Sequence, residues 1–317
     1  MPFLSNRRVL LAKIESSYGV DPVPSGAANA IRVVNLEETL LDADIVSRNI
    51  VRPYLGNSEQ IIAGRKSRIS FEVELQGSGT PGTAPGLGPI LRACGLAEVV
   101  TAGQYVDYIP VSSGFESVTL YFQPQHSSAG VAPLHKITGA RGSAEMMWNA
   151  KTIPVLKITM TGIYNGPANA ANIVADYSAF KTPVAVNKAN TPLFKFFGIS
   201  PCMTELSVNM NNTIVHRDLP NCETVMLTDR KVSGNVVFEA PDLTVLNTWQ
   251  AAVDGTAGSL EITHGTVPGR TVDFAALNSV NIQNPSYQSS DGIEMLSVPF
   301  VLVPGNTVYN EFLLRFR

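Results

Sequence analysis

Alternation of apolar and polar residues with a period of two is the feature that most constrains this chain of 317 residues. SVTLYFQ (117–123), LKITMTGIY (156–164), ELSVNM (205–210), VSGNVVFE (232–239) and SLEITHG (259–265) carry the pattern, each bounded by Gly, Pro, Asn or Ser. Successive side chains of a strand point to opposite faces, so such runs bury one face and wet the other. The N-terminal RRVLLAKIESS fits either a strand or a helix, and a strand is favoured. Only two stretches argue for a helix. LGPILRACGL (87–96) places Pro89 in a first turn and Gly95 as a stop. DLTVLNTWQAAVDG (242–255) offers Asp242 as N-cap, a face of Leu243, Leu246, Trp249 and Val253, and Gly255 as its end. The fold class is therefore mainly β.

One piece of this pattern is written twice. GRKSRISFEVEL (64–75) and DRKVSGNVVFEA (229–240) both open on an Arg-Lys pair, alternate, and carry a Glu near the end (Glu74, Glu239). In both halves the alternating strand is followed by one short helix and then by more strands. Upstream, SRNIVRPY (47–54) has a counterpart in HRDLPN (216–221). The expectation is one β-rich unit with one helix, duplicated and fused: residues 1–188, residues 189–317, and between them an Ala-, Asn- and Pro-rich extended linker over 165–192. A solenoid is excluded, since its repeats are roughly 20–50 residues long.

Composition limits the partners. A net charge of −3 and no basic run longer than two residues argue against an electrostatic grip on nucleic acid. At 15% charged and 44% hydrophobic residues, part of the surface is expected to be covered by neighbouring subunits. MPFLSNRRVLLAKIESSYG lacks the apolar stretch of a signal peptide, and no segment approaches the ~18 apolar residues of a membrane span. Cys94, Cys202 and Cys222 show no metal-ligand spacing and read as buried thiols of a protein made in a reducing cytoplasm.

Motifs of chemistry are weak. GSGTPG (77–82) satisfies G-x-G-x-x-G, but Pro81 and Pro85 interrupt the turn, so it reads as a flexible loop between strand and helix. His126, His135, His216 and His264 lie in four separate segments, which gives no metal set. Glu72 and Glu74 share one face of a strand, as on a solvated edge, and no G-x-S-x-G occurs. A non-enzyme without cofactor or metal is the reading.

The segment with most character is DADIVSRNIVRPYLGNSEQIIAGRK (42–66), which mixes Arg and Glu with Ile45, Val46, Ile50, Val51, Tyr54, Leu55, Ile61 and Ile62. A solvated hairpin tip does not need so many apolar residues; an arm docking on another subunit does, the alternative being a long loop folded on its own domain. The candidate contact residues are Arg48, Asn49, Ile50, Arg52, Pro53, Tyr54, Leu55, Glu59 and Arg65, with Arg217, Asp218, Leu219 and Arg230 in the second copy.

LLAKIESSYGVDPVPSGAANAI, RNIVRPYLGNSE, FEVELQGSGTPGTAPGLGPILRACG and SVTLYFQPQHSSAGVAPLHKITGARGSAEMMWNAKTIPVLKITMTGIY resemble the major tail tube proteins of long-tailed bacteriophages and related prophages. The resemblance covers most of residues 9–190, and the second half is similar in a weaker, compacted form. It implies two tandem tail-tube-like β-sandwich or partial-barrel domains, six-fold or pseudo-six-fold rings stacked into a tube, and a hairpin at 42–66 that bridges rings. A duplicated member implies trimers that imitate hexamers. The implied partners are other copies of the chain, the tape measure protein, the tail terminator and tail-tip proteins, with DNA passing the lumen unbound and no membrane contact. The implied place is the virion tail, assembled in the host cytoplasm. The alternative is another ring- or tube-forming component, or a minor tail protein, of a phage-derived contractile or secretion particle.

Overall fold

In a computed structural model, residues 3–126, 130–305 and 311–317 are described. The first half holds β1 (Phe3–Ile14), α1 (Gly26–Asn29), β2 (Ala30–Ile31), β3 (Val34–Ser47), β4 (Gln60–Glu74), α2 (Gly88–Ala93), β5 (Leu96–Thr101), β6 (Tyr105–Pro110), β7 (Val118–His126), β8 (Val131–Asn149), β9 (Val155–Tyr164) and β10 (Ala168–Ala171). The second holds β11 (Leu193–Phe196), β12 (Met203–Asn209), β13 (Asn212–Leu219), β14 (Cys222–Arg230), β15 (Ser233–Glu239), α3 (Thr248–Asp254), β16 (Ala257–His264), β17 (Val272–Ile282), β18 (Ser286–Ser290), β19 (Ile293–Leu302) and β20 (Leu313–Phe316). The fold is mainly β, and all its ladders are antiparallel.

The alternation does what the sequence asks of it. In β4, Ile69, Phe71 and Val73 are buried while Arg68 is exposed and Ser70, Glu72 and Glu74 are half-buried. In β15, Val236 and Phe238 take the same inward positions. The halves also share a strand order. In the first it runs β3-β4-β9-β8-β7-β1, with β10 also beside β8. In the second it runs β12-β15-β19-β17-β16-β11, with β20 also beside β17. The central strand is bulged in both, around Gly139 (φ 59°) in β8 and around Asn278 (φ 54°) in β17. Among the described residues the β5–β6 hairpin has no counterpart in the second half.

Two ladders join the halves into one sheet, β8 with β12 and β6 with β20. The core is continuous across the join, where Trp148 meets Phe274 at 5.8 Å and Tyr108 meets Phe316 edge-on at 5.6 Å. The connection at 165–192 is fastened down rather than slack. β10 pairs with β8, Phe180 and Val186 are buried, and Val186 accepts from Lys151 N–H and donates its own N–H to the Thr152 carbonyl, both at 2.8 Å.

Three details depart from the sequence reading. The second helix begins at Thr248 with Asn247 as its cap, because the Asp242 carboxylate instead folds a local turn onto the Thr244 N–H and hydroxyl. Leu243 and Val253 are consequently exposed rather than on a buried face. Cys94 is buried, its thiol pushed up to about 12 by desolvation, but Cys202 and Cys222 lie at the surface. The GSGTPG loop is held, not loose: Gly79 N–H bonds the Gly269 carbonyl at 2.8 Å, and a Cβ on Gly77 would lie 2.2 Å from that same oxygen. These glycines let backbone from the two halves approach closely. The crevice that begins at Leu75 and Gln76 holds about 70 Å³ and the one lined by Pro81 about 200 Å³, against the roughly 300 Å³ or more of a ligand site.

The bulge in β8 is clamped by a buried carboxylate. Glu15 accepts from Gly139 N–H (2.7 Å) and the Thr119 hydroxyl (2.6 Å) on one oxygen, and from Gly19 N–H (2.8 Å) and the Ser117 hydroxyl (2.6 Å) on the other. Charge-assisted bonds of this kind are each worth ~1.5–3 kcal/mol, and stranding buried donors costs a comparable amount. Glu15→Ala is expected to destabilise the chain by on the order of 3 kcal/mol in denaturant unfolding, and a loss below about 1 kcal/mol would contradict the clamp.

Candidate assembly interface

β4 changes character along its length. From Ser67 onward it alternates within the core, but from Gln60 to Ala63 every residue is exposed. There it pairs only with β3, forming a two-stranded arm with Ile45 opposite Ile62 and Val46 opposite Ile61. Neighbouring pairs in a ribbon face opposite sides, so the arm is apolar on both faces and covered on neither. An isolated two-stranded ribbon is marginal in water. Exposed aliphatic side chains on both of its faces make it the candidate contact surface.

The tip, residues 48–59, gathers most of the sequence-derived candidates. Arg48 and Glu59 join across the mouth through a 2.5 Å ion pair and a 3.1 Å backbone bond. Arg52 lies 5.9 Å from the Tyr54 ring centroid. Asn49, Ile50, Pro53, Tyr54 and Leu55 are exposed, as is Arg65 nearer the base. Lys66 and Asp42 pair at 3.6 Å where the arm leaves the sheet.

The second half carries a matching hairpin, β13–β14, closed by Pro220-Asn221 with Asn221 at φ 68°. Here Ile214 faces Leu227 and Val215 faces Met226. Counted back from the Arg-Lys pairs, Leu227 corresponds to Ile62 and Met226 to Ile61. Their environments differ. Leu227 is 7% exposed, against 53% for Ile62, because this hairpin is docked on the first half. Leu227 packs against Gly95, which follows α2, and Asn212 donates to the Cys94 and Gly142 carbonyls at 2.7 and 2.9 Å. Arg141 donates to the Val225 carbonyl at 2.7 Å, and burial lowers its pKa.

The two arms meet. A Cβ on Gly64 would lie 3.8 Å from the Asp218 carboxylate, so Asp218, with the neighbouring exposed Arg217 and Leu219, sits beside the base of the first arm. Arg230 stands apart from this group. Its side chain is 7% exposed, paired with Glu311 at 3.0 Å and bonded to the Val111 carbonyl at 2.7 Å, so it pins the C-terminal segment inside the chain. Val215 and Met226, exposed on the outer face of the second hairpin, were not singled out by sequence. Their signal is the alternation IVH and TVM on either side of the turn.

Among the described residues, no group of three or more His, Cys, Asp or Glu is placed to hold a metal ion. No helix of the described residues is long and apolar enough to cross a membrane. A mainly β chain with an uncovered apolar arm belongs to the class of proteins built to associate. A family model for the phage tail tube protein matches residues 5–301, and the chain belongs to that family. Comparison with curated proteins gives no match. Membership makes the chain a component of the virion tail and implies self-assembly into a tube.

The two roles of the arginines and arms separate in stability measurements. Ile61→Ser, at an exposed arm position, is expected to shift unfolding free energy by less than about 0.5 kcal/mol. Arg230→Ala, which strands a buried Glu311, is expected to cost ~3 kcal/mol or more. Equal losses in urea titrations of the two variants would refute this division.

Proposed function

We propose that the chain builds the tail tube of a long-tailed phage from rings of three subunits, each supplying two copies of one tail-tube unit so that six positions close the ring. The units are residues 1–188 and 189–317, and the shared strand order with its bulged central strand supports the duplication. The first arm, residues 42–66, carries contacts between stacked rings. The observation behind that role is the arm's aliphatic surface on both faces, one face for its own ring and one for the next.

The lumen is a passive conduit for DNA. The chain has 23 basic against 26 acidic residues. Many cations are already paired, as in Arg8–Glu38, Arg32–Glu74, Arg92–Glu116, Lys136–Asp21, Arg315–Asp107 and Arg317–Asp273. Phosphate contacts by free Lys and Arg would add affinity and retard passage. In the virion the tube's partners are the tape measure protein inside it and the terminator and tip proteins at its ends, and assembly takes place in the host cytoplasm. The role is structural, without catalysis or cofactor.

Two measurements test the reading. Cryo-EM of assembled protein is expected to show three chains per ring, and rings of six full-length chains would overturn the trimer. Replacing residues 48–62 by a short Gly/Ser turn is expected to leave folded protein, with melting close to the parent's, that no longer forms long tubes. Tubes of normal length from that variant would remove the arm from ring stacking.

A further inference from the structure

Asn165-Gly166 is the one Asn-Gly pair in the sequence. An asparagine carries an electrophile, its amide carbon Cγ, within reach of the backbone nitrogen of the residue that follows. A side chain on that residue would crowd the approach, and glycine has none. The attacking nitrogen must also be free of a hydrogen bond, because it reacts only after losing its proton.

The fold leaves this pair in a gap between two ladders. β9 pairs with β8 as far as Tyr164 opposite Ile137, and β10 resumes on the same strand with Ala168 opposite Leu134. Residues 165–167 therefore span what His135 and Lys136 span on β8, three against two, as in a bulge. Gly166 is exposed, and among the described residues its N–H has no hydrogen-bond partner. A Cβ built on it would meet nothing within 4 Å, so the backbone here has room to turn.

Asn165 is half-buried and offers the protein its amide nitrogen rather than its amide oxygen. Nδ2 donates to the Thr138 hydroxyl at 3.1 Å and to the Ile163 carbonyl at 3.3 Å. Among the described residues Oδ1 accepts no hydrogen bond, and it is not sealed from water. Negative charge can therefore develop on Oδ1 without the penalty of a buried, unpaired ion.

We propose that Asn165 is a site of spontaneous, intramolecular deamidation. Gly166 N gives its proton to a solvent base and bonds to Asn165 Cγ, and the carbonyl electron pair moves onto Oδ1. When that pair returns, the Cγ–Nδ2 bond breaks and Nδ2 leaves as ammonia with a proton from water. Water then opens the resulting succinimide at either carbonyl, giving aspartate or isoaspartate at position 165. The sum is asparagine plus water going to an aspartyl residue plus ammonia, with no oxidant, metal or cofactor. The product loses a donor and gains a charge beside the Ile163 carbonyl, and isoaspartate also lengthens the backbone of the gap by one carbon. Both weaken the hold of the strap on β8 over Ala168–Ala171. The site lies within one chain and does not depend on ring formation.

The test incubates the full-length protein in mildly alkaline buffer, which favours the deprotonated nitrogen, and follows it by tryptic digestion and mass spectrometry. The peptide 158–181 is expected to gain one mass unit with time and to separate into aspartyl and isoaspartyl forms. Its fragments are expected to place the gain at Asn165 rather than at Asn169 or Asn172. Gly166→Ala suits the open space at this position and the extended backbone that precedes Pro167, so it is expected to melt like the parent and to lose the modification. Asn165→Asp carries the charge of the product and is expected to speed hydrogen exchange of the β10 amides severalfold. A parent whose Asn165 stays intact overturns the proposal, as does a Gly166→Ala variant modified at the parent's rate. Unchanged β10 exchange in Asn165→Asp overturns the effect on the strap.

Discussion

The ladder between β8 and β12 is the contact on which the rest of the molecule depends. It turns two sheets into one, and it sets the second half where Trp148 can meet Phe274 and where the β13–β14 hairpin can lie on the first half. β8 serves both units because it is long and bulged. It pairs with β10 over Val131–Leu134, with β7 from His135 to Ala140, with β9 from Ile137 across the bulge to Met147, and with β12 over Glu145–Asn149. The buried Glu15 carboxylate that fixes that bulge therefore acts on inter-unit geometry as well as on local stability.

The arms show what an uncovered surface means energetically. Fully burying an Ile is worth roughly 1.5–3 kcal/mol, and leaving it in water forgoes that gain. The second arm has collected it, with Leu227 buried and Arg141 and Asn212 satisfying backbone carbonyls around it. The first arm has the same cross-strand pattern and none of the cover. Identical design with opposite exposure is hard to explain in an isolated subunit and simple to explain in an assembly.

Much of this was legible in the sequence because strands announce themselves locally. Period-two runs at 117–123, 156–164 and 232–239 became β7, β9 and β15, and the dense aliphatic content of 42–66 falls on a two-stranded arm whose Ile45, Val46, Ile61 and Ile62 are exposed. What escaped was set by distant partners. Arg230 looked like its counterpart Arg65, but Glu311, 81 positions away, draws it inside. Asp242 had the chemistry of a helix cap and used it on a turn. Which strands are edges cannot be read from residues such as SYQSS, because being an edge is a property of pairing.

Duplication also changes the thermodynamics of closing a ring. Each joint between separate subunits must offset a loss of translational and rotational freedom of roughly 4–15 kcal/mol. The β8–β12 joint incurs none of it, because the strap at 165–192 holds both partners in one chain. In the proposed trimer half of the six joints are therefore formed on folding; two association steps bring the three chains together, and the third inter-chain joint closes the ring. The second arm is docked in advance by the same economy, whereas the first arm keeps its aliphatic side chains exposed.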